Sequence, residues 1–157
     1  MRSLLGGLDR LRAASIWGPG GVSAEDARVG DLLRSALPRF YFWTAAFGLG
    51  GFIGGVPALR DTFGATFAEL VAGLLAVAAI ACFIGVSFPA RFWRWEFIAA
   101  AFVTVLLVAY AIAILIAGVL VGDIGRLAVA FIIYAISALP RWRQRDIARD
   151  RRVHGWK

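Results

Sequence analysis

Residues 97–122, FIAAAFVTVLLVAYAIAILIAGVLVG, run for 26 positions without a charge. As an α-helix rising about 1.5 Å per residue this stretch is about 39 Å long. That exceeds the ~30 Å hydrocarbon core of a bilayer, so it tilts or runs past the core. Upstream lie two more such gaps, 21 uncharged residues over 70–90 and 20 over 40–59. Their helices are about 31 and 30 Å long, a fit with little slack. A soluble domain can bury one helix of this kind but not three in succession, so the charge-free gaps decide the fold class.

The whole chain agrees. Its 157 residues are 61% hydrophobic and 17% charged, with a mean hydropathy of +0.77, against about 45–50% and about 25% in soluble globular domains. A chain this apolar is not disordered, and its length fits one domain. A single cysteine, Cys82, makes no internal disulfide and no cysteine zinc site. A single histidine, His154, removes most histidine-dependent catalysis and metal binding.

A fourth span is harder to read. Residues 127–140 give only 14 uncharged positions, about 21 Å of helix. Starting at Gly122 lengthens it to about 28 Å but takes in Asp123 and Arg126, which can sit at headgroup level with the arginine snorkelling outward. The basic residues decide. Residues 1–39 hold six Arg, the tail from Arg141 holds six Arg and Lys157, and the connection around Arg91 and Arg94 holds two. The connections around Arg60 and Arg126 hold one each. Four crossings therefore put fifteen basic residues on one side and two on the other, as the positive-inside rule requires, whereas three would export a strongly basic terminus. The expected architecture is all-α and integral to the cytoplasmic (inner) membrane. It has four transmembrane helices over about 40–59, 67–90, 97–121 and 123–140, within a transmembrane domain over 40–140. An arm over 1–39 and a basic helical tail over 141–157 both lie in the cytoplasm.

Aromatic and basic residues alternate where the expected spans meet the cytoplasmic face. Trp43, Trp93, Trp95 and Trp142 read as interface anchors. Arg91, Arg94, Arg141, Arg143, Arg145 and Arg149 read as headgroup-level residues that fix topology and meet anionic lipid. Thr66-Phe-Ala-Glu69 matches a capping box opening the second span, and Glu96 and Asp123 stand at the starts of the third and fourth, where the helix dipole favours an acid.

No secretory signal peptide is expected, because only six uncharged residues separate Arg2 from Asp9. Leu4, Leu8 and Leu11 recur at helical spacing beside Leu5, which suits a short helix lying on the membrane surface. Gly18-Pro-Gly-Gly21 breaks it. Ser23-Ala-Glu-Asp26 starts a second amphipathic helix with Val29, Leu32, Leu33 and Ala36 along one side. A loosely ordered basic arm fits the same residues equally well, given how marginal short helices are. In the tail, Arg141, Arg145, Arg149 and Arg152 share a helical face. Such a stripe beside a span is explained by anionic lipid, and Asp146 and Asp150 interrupt it, so no nucleic-acid partner is expected.

Inside the first three spans there is no charge, and relays, coupled transport and voltage sensing need one. Thr44, Thr104, Tyr110, Tyr134 and Ser137 can hydrogen-bond between helices. No paired carboxylates, nucleophile with a base, phosphate loop or metal cluster is present, so no enzymatic activity, cofactor, metal or small-molecule substrate is expected. Gly50 with Gly54, and Gly51 with Gly55, form two small-xxx-small pairs, the pattern that lets membrane helices approach closely. Ala46 extends the first pair, and Ala68, Ala72 and Ala76 and Ala109, Ala113 and Ala117 repeat the spacing in the next two spans. These glycines read as helix-packing and oligomerisation positions, serving the chain's own helices, a second copy or another membrane protein.

Sixteen Arg against one Lys point to a GC-rich coding sequence and a bacterial or bacteriophage source. In size, span pattern, hydrophilic N-terminal region and Arg-rich tail through Arg152, the chain resembles the bacteriophage holins. That resemblance implies a non-enzymatic protein that accumulates in the cytoplasmic membrane, self-associates and permeabilises it for host lysis. The alternative is an accessory or scaffolding subunit of a membrane complex, or a phage exclusion factor, using the same faces heterotypically. A small channel or transporter, its pore lined by backbone and hydroxyl groups, ranks lower.

Overall fold

Proline and glycine punctuate the chain. The computed structural model describes residues 10–18 and 30–154. A π-helical turn, Leu32–Ala36, runs without a break into α1, Leu37–Gly54, and Pro38, which has no N–H to give the preceding turn, stands just after it. Gly55 (φ 76°) and extended Val56 end it, and Pro57 opens α2, Pro57–Phe63. The expected first span over 40–59 is thus two helices. Gly64 (φ 88°) turns the chain into α3, Ala65–Ser87. Thr66 already lies inside that helix and no side chain caps it, so the capping box at Thr66 and Glu69 does not form.

Pro89 opens α4, Pro89–Val121, with a local departure from helical angles at Phe92. The third helix therefore starts two turns before the expected 97, and Glu96 lies within it. Left-handed Gly122 ends α4 as the Asp123 N–H reaches back to the Gly118 carbonyl at 2.9 Å. Asp123 then caps α5, Ile124–Ile136, accepting from the amides of Gly125 (2.8 Å) and Arg126 (3.3 Å). A single turn at Ser137 leads into α6, Ala138–His154. Pro140 falls in the first turn of α6 and does not stop it, so the expected fourth span and basic tail form one nearly continuous rod. The arm's Leu4, Leu5 and Leu8, and the helix start at Ser23, lie outside the described residues. Among the described residues there is no strand.

Small residues bring the helices together. A Cβ at Gly48 of α1 would stand 2.7 Å from the Ala76 nitrogen and 2.8 Å from the Ala72 carbonyl of α3, and one at Gly51 would stand 3.1 Å from the Ala72 Cβ. These are near backbone-to-backbone contacts, the membrane mode of helix packing. At the opposite end of the α1–α3 contact Tyr41 and Ala45 meet Cys82 and Val86 in one buried cluster. Ala99, Ala100 and Val103 of α4 complete it, with Ile16 of the arm and Leu33 above. The Ile16 N–H donates to the Ser87 carbonyl at 3.0 Å, and the Trp17 indole donates to the Arg34 carbonyl at 2.9 Å. The arm thus seals this end of the bundle.

Large apolar side chains point outward over the helices, as at Ile53, Leu120 and Ile124, the reverse of a soluble surface. Three helices are long and apolar enough to cross a membrane: Ala65–Ser87, Arg91–Val121 and Ile124–Arg149. The 18-residue α1 is not among them, because Pro38, Arg39 and four glycines lower its hydropathy.

Candidate functional site: a buried ion pair at the basic end

The buried face of α4 runs Glu96, Ala100, Val103, Leu107, at i, i+4, i+7 and i+11, so its first member is an acid in a small-residue seam. The inward face of α6 runs Pro140, Arg143, Ile147, at i, i+3 and i+7, and all three are buried. The rod α5–α6 returns antiparallel to α4 and brings the two charges together. Arg143 Nε donates to Glu96 Oε1 at 2.6 Å and Nη2 to Oε2 at 3.3 Å, a side-on fork. The remaining nitrogen, Nη1, donates to Asp146 Oδ2 at 2.7 Å. At the next residue of each helix, the Gln144 amide donates to the Phe97 carbonyl at 3.1 Å. Glu96 is 0% exposed and Arg143 5%.

The seat for the pair is cut by a glycine. A Cβ at Gly85 of α3 would stand 2.5 Å from the Glu96 Cβ and 3.0 Å from its Cα, so only glycine lets α4 this close. Tyr41 of α1 lies beside the Cys82 thiol under the pair, and its buried hydroxyl makes no hydrogen bond of good geometry. Arg143 lies between two carboxylates, so the three side chains together carry one negative charge. The arrangement offers no free nucleophile–base couple. It is a clamp that joins α4 to α6.

Arg143 is therefore a correction to the headgroup reading. It is sealed from lipid and water because it shares the inward face of α6 with Ile147, and Asp146 three residues on completes its partners. That spacing in the tail, an arginine four residues before Ile147 in an otherwise polar stretch, is the signal by which it could have been found. Glu96 is not a helix-start acid but a charge in phase with a buried seam, which requires a cation. Arg91, Arg94, Arg141, Arg145 and Arg149 are exposed. Arg91 and Arg94 lie over the rings of Phe92 and Trp93, 5.6 and 5.3 Å from their centroids. Trp43 and Trp95 are exposed, and half-buried Trp142 packs against the core.

The four predicted glycines part company. Gly51 faces α3, Gly55 stands outside the helix in a turn, and Gly50 and Gly54 point away from the bundle with nothing within 4 Å of a Cβ. Among the described residues no three His, Cys, Asp or Glu side chains gather as a metal site. The chain matches no family model, no curated protein and no solved structure.

Proposed function

We propose that this chain is a non-enzymatic four-span protein of the cytoplasmic membrane that self-associates through the outer face of α1 and permeabilises the bilayer in the manner of a holin. The observation that carries the reading is the division of the α1 glycines. Gly48 and Gly51 are used up against α3, whereas Gly50 and Gly54 leave a bare backbone strip facing outward, with exposed Ala46 one turn before it. The fourth crossing is supported by the length of the α1–α3 contact. It runs from Gly51 beside Ala72 to Tyr41 in the cluster of Cys82 and Val86, so α1 lies along about 21 Å of α3. The two termini on the cytoplasmic side follow from the fifteen-to-two division of basic residues.

Controlled expression tests the activity: abrupt loss of membrane potential is expected, and normal growth with intact potential overturns the holin reading. Gly50→Ile with Gly54→Ile tests the surface, because a Cβ at either position meets nothing within 4 Å in the chain's own fold. Homo-oligomer crosslinking is expected to vanish, and unchanged crosslinking removes the α1 face from the proposal. A reporter fused after Lys157 is expected to be active in the cytoplasm; activity on the outer face alone refutes the topology.

One observation favours the second reading, an accessory subunit of a membrane complex. The rod Ile124–Arg149 is only 17% buried over its most apolar window, against 44% for the other two candidate spans, which leaves a broad apolar face for a foreign helix. Loss of a co-purifying foreign subunit in the glycine variant, with cell potential unaffected throughout, would favour it.

A further inference from the structure

Between α1 and α5 the bundle is open. Phe40, Trp43 and Phe47 of α1 form one wall, Leu107 and Tyr110 of α4 the floor, and Val129 of α5 the other wall of a groove of about 440 Å³. This is within the ~300–1,000 Å³ of small-molecule sites. The groove lies within the apolar segments and opens sideways, toward the hydrocarbon. Its polar neighbour Thr44 is already satisfied, donating to the Phe40 carbonyl at 2.8 Å.

The lining decides between occupants. Helix against helix in a membrane needs small residues so that backbones approach, and the groove presents bulky rings and branched chains. The outward Gly50–Gly54 strip suits a helix; this groove suits a thin, flexible chain that follows irregular walls. Its cytoplasmic mouth carries the complementary chemistry. Trp43 is 69% exposed there, and its indole N–H makes no hydrogen bond among the described residues. Arg39 stands one turn before Trp43 on the same face of α1, and its Cα–Cβ bond tilts toward the helix N-terminus, outward from the hydrocarbon. Arg39 is exposed and has no ion pair among the described residues. From Arg39 to Phe47 is about 12 Å along the helix, so a phosphate at the arginine places the first half of an acyl chain against the aromatic wall.

We propose that the groove seats one acyl chain of an anionic phospholipid, with its phosphate on Arg39 and its ester region within reach of the Trp43 N–H. The inference rests on the membrane placement above but not on self-association or on lysis.

The test uses the full chain purified in detergent, with phosphatidylglycerol and phosphatidylcholine of identical acyl chains as probes, read by native mass spectrometry. One phosphatidylglycerol retained per chain is expected, preferred about fivefold over phosphatidylcholine, which is the ~1 kcal/mol of one basic residue at an anionic surface. Arg39→Gln is expected to abolish the preference and keep the occupancy. Val129→Trp, which fills the groove, is expected to weaken retention of both lipids about tenfold. Equal retention of the two lipids by the unaltered chain, or unchanged retention by a folded Val129→Trp variant, overturns the proposal. A photoreactive group on the acyl chain of phosphatidylglycerol gives a readout that needs no variant. Adducts confined to 40–47, 107–110 and 129–136 support the groove, and adducts spread evenly over the outward faces refute it. Alkaline carbonate extraction separates the two levels. Release of the chain from membranes refutes the placement itself, whereas retention with diffuse adducts refutes the groove alone.

Discussion

Replacing Arg143 by Met should open the basic end of the bundle. The substitution removes three charge-assisted hydrogen bonds, at 2.6, 3.3 and 2.7 Å, and leaves Glu96 fully enclosed with no cation. Removing one partner of a buried pair costs ~3–5 kcal/mol, most of it the penalty of the stranded charge. Asp146 adds little to that cost, because its side chain is 16% exposed and can turn to water. Glu96→Gln should cost less, ~1–2 kcal/mol, since the amide oxygen still accepts from Arg143 and Asp146 still balances the guanidinium. Replacing both, Glu96→Met with Arg143→Met, removes the stranded charge altogether and should return stability to within ~1 kcal/mol of the parent or above it. The coupling between the two positions is then at least ~2 kcal/mol in a double-mutant cycle.

Cys82 supplies the assay. It is the sole cysteine, it is buried, and it lies in the cluster directly below the pair. Its rate of modification by a maleimide at fixed pH reports how often this end opens, and each ~1.4 kcal/mol of lost local stability raises the open population tenfold. Arg143→Met should therefore react roughly a hundred to a few thousand times faster than the parent. The double variant should react at close to the parental rate. An Arg143→Met protein that labels no faster than the parent, or a double variant as fast as the single, refutes the stranded-charge argument.

The glycines give a sharper contrast within one helix. Gly48→Ala drives a methyl against the Ala72 and Ala76 backbone, and Gly85→Ala drives one against Glu96; each should cost ~1–3 kcal/mol in thermal unfolding in micelles. Gly50→Ala meets nothing and should change stability by no more than ~0.5 kcal/mol. Asp123→Ala frees the Gly125 and Arg126 amides that it caps. It should cost ~0.5–2 kcal/mol and accelerate amide exchange at those two positions. The half-exposed Asp123–Arg126 contact adds little to that figure.

What could be read from one dimension was the set of long charge-free gaps and Asp123 as the acid at the start of α5, because both depend on neighbours in sequence. The limits of the helices followed less well, since a helix can begin in charged residues that are paired or snorkel, as α4 does at Pro89. The inner and outer faces of α1 were beyond reach for a different reason. In a soluble helix polarity marks the outside, but here both faces are apolar and only size distinguishes them. The buried residues Leu37, Tyr41, Thr44, Gly48 and Gly51 form a stripe at spacings of three and four. The two GxxxG pairs, more conspicuous in the sequence, cut across it. The Glu96–Arg143 pair was hidden by its separation of 47 residues and by the habit of assigning every juxtamembrane arginine to lipid. No local rule says that a tail arginine folds back.

Why a buried ion pair stands at the end of this bundle follows from what holds the rest of it. α5 buries only Ala130 among its thirteen residues, and Gly118 brings α4 close to Arg126 and Leu127 beside the α4–α5 turn. Alanine seams are nearly degenerate in register, because a slip of one turn exchanges one small residue for another. A slip of one turn is about 5.4 Å, enough to break all the Glu96–Arg143 contacts, so the pair discriminates against it by its full stranding penalty. Its worth is then in register more than in stability. The paired Met variant, stable by the argument above, should lose this discrimination. With Cys82→Ala removing the native thiol, Phe97→Cys and Gln144→Cys are expected to form a disulfide across the observed contact in the parent. A cysteine at Ala101, one turn further along α4, should capture position 144 efficiently only after both charges are gone. If positions 101 and 144 crosslink equally well with the ion pair intact, register is set elsewhere, in the turn at Gly122 or by the arm that seals the bundle at Ile16.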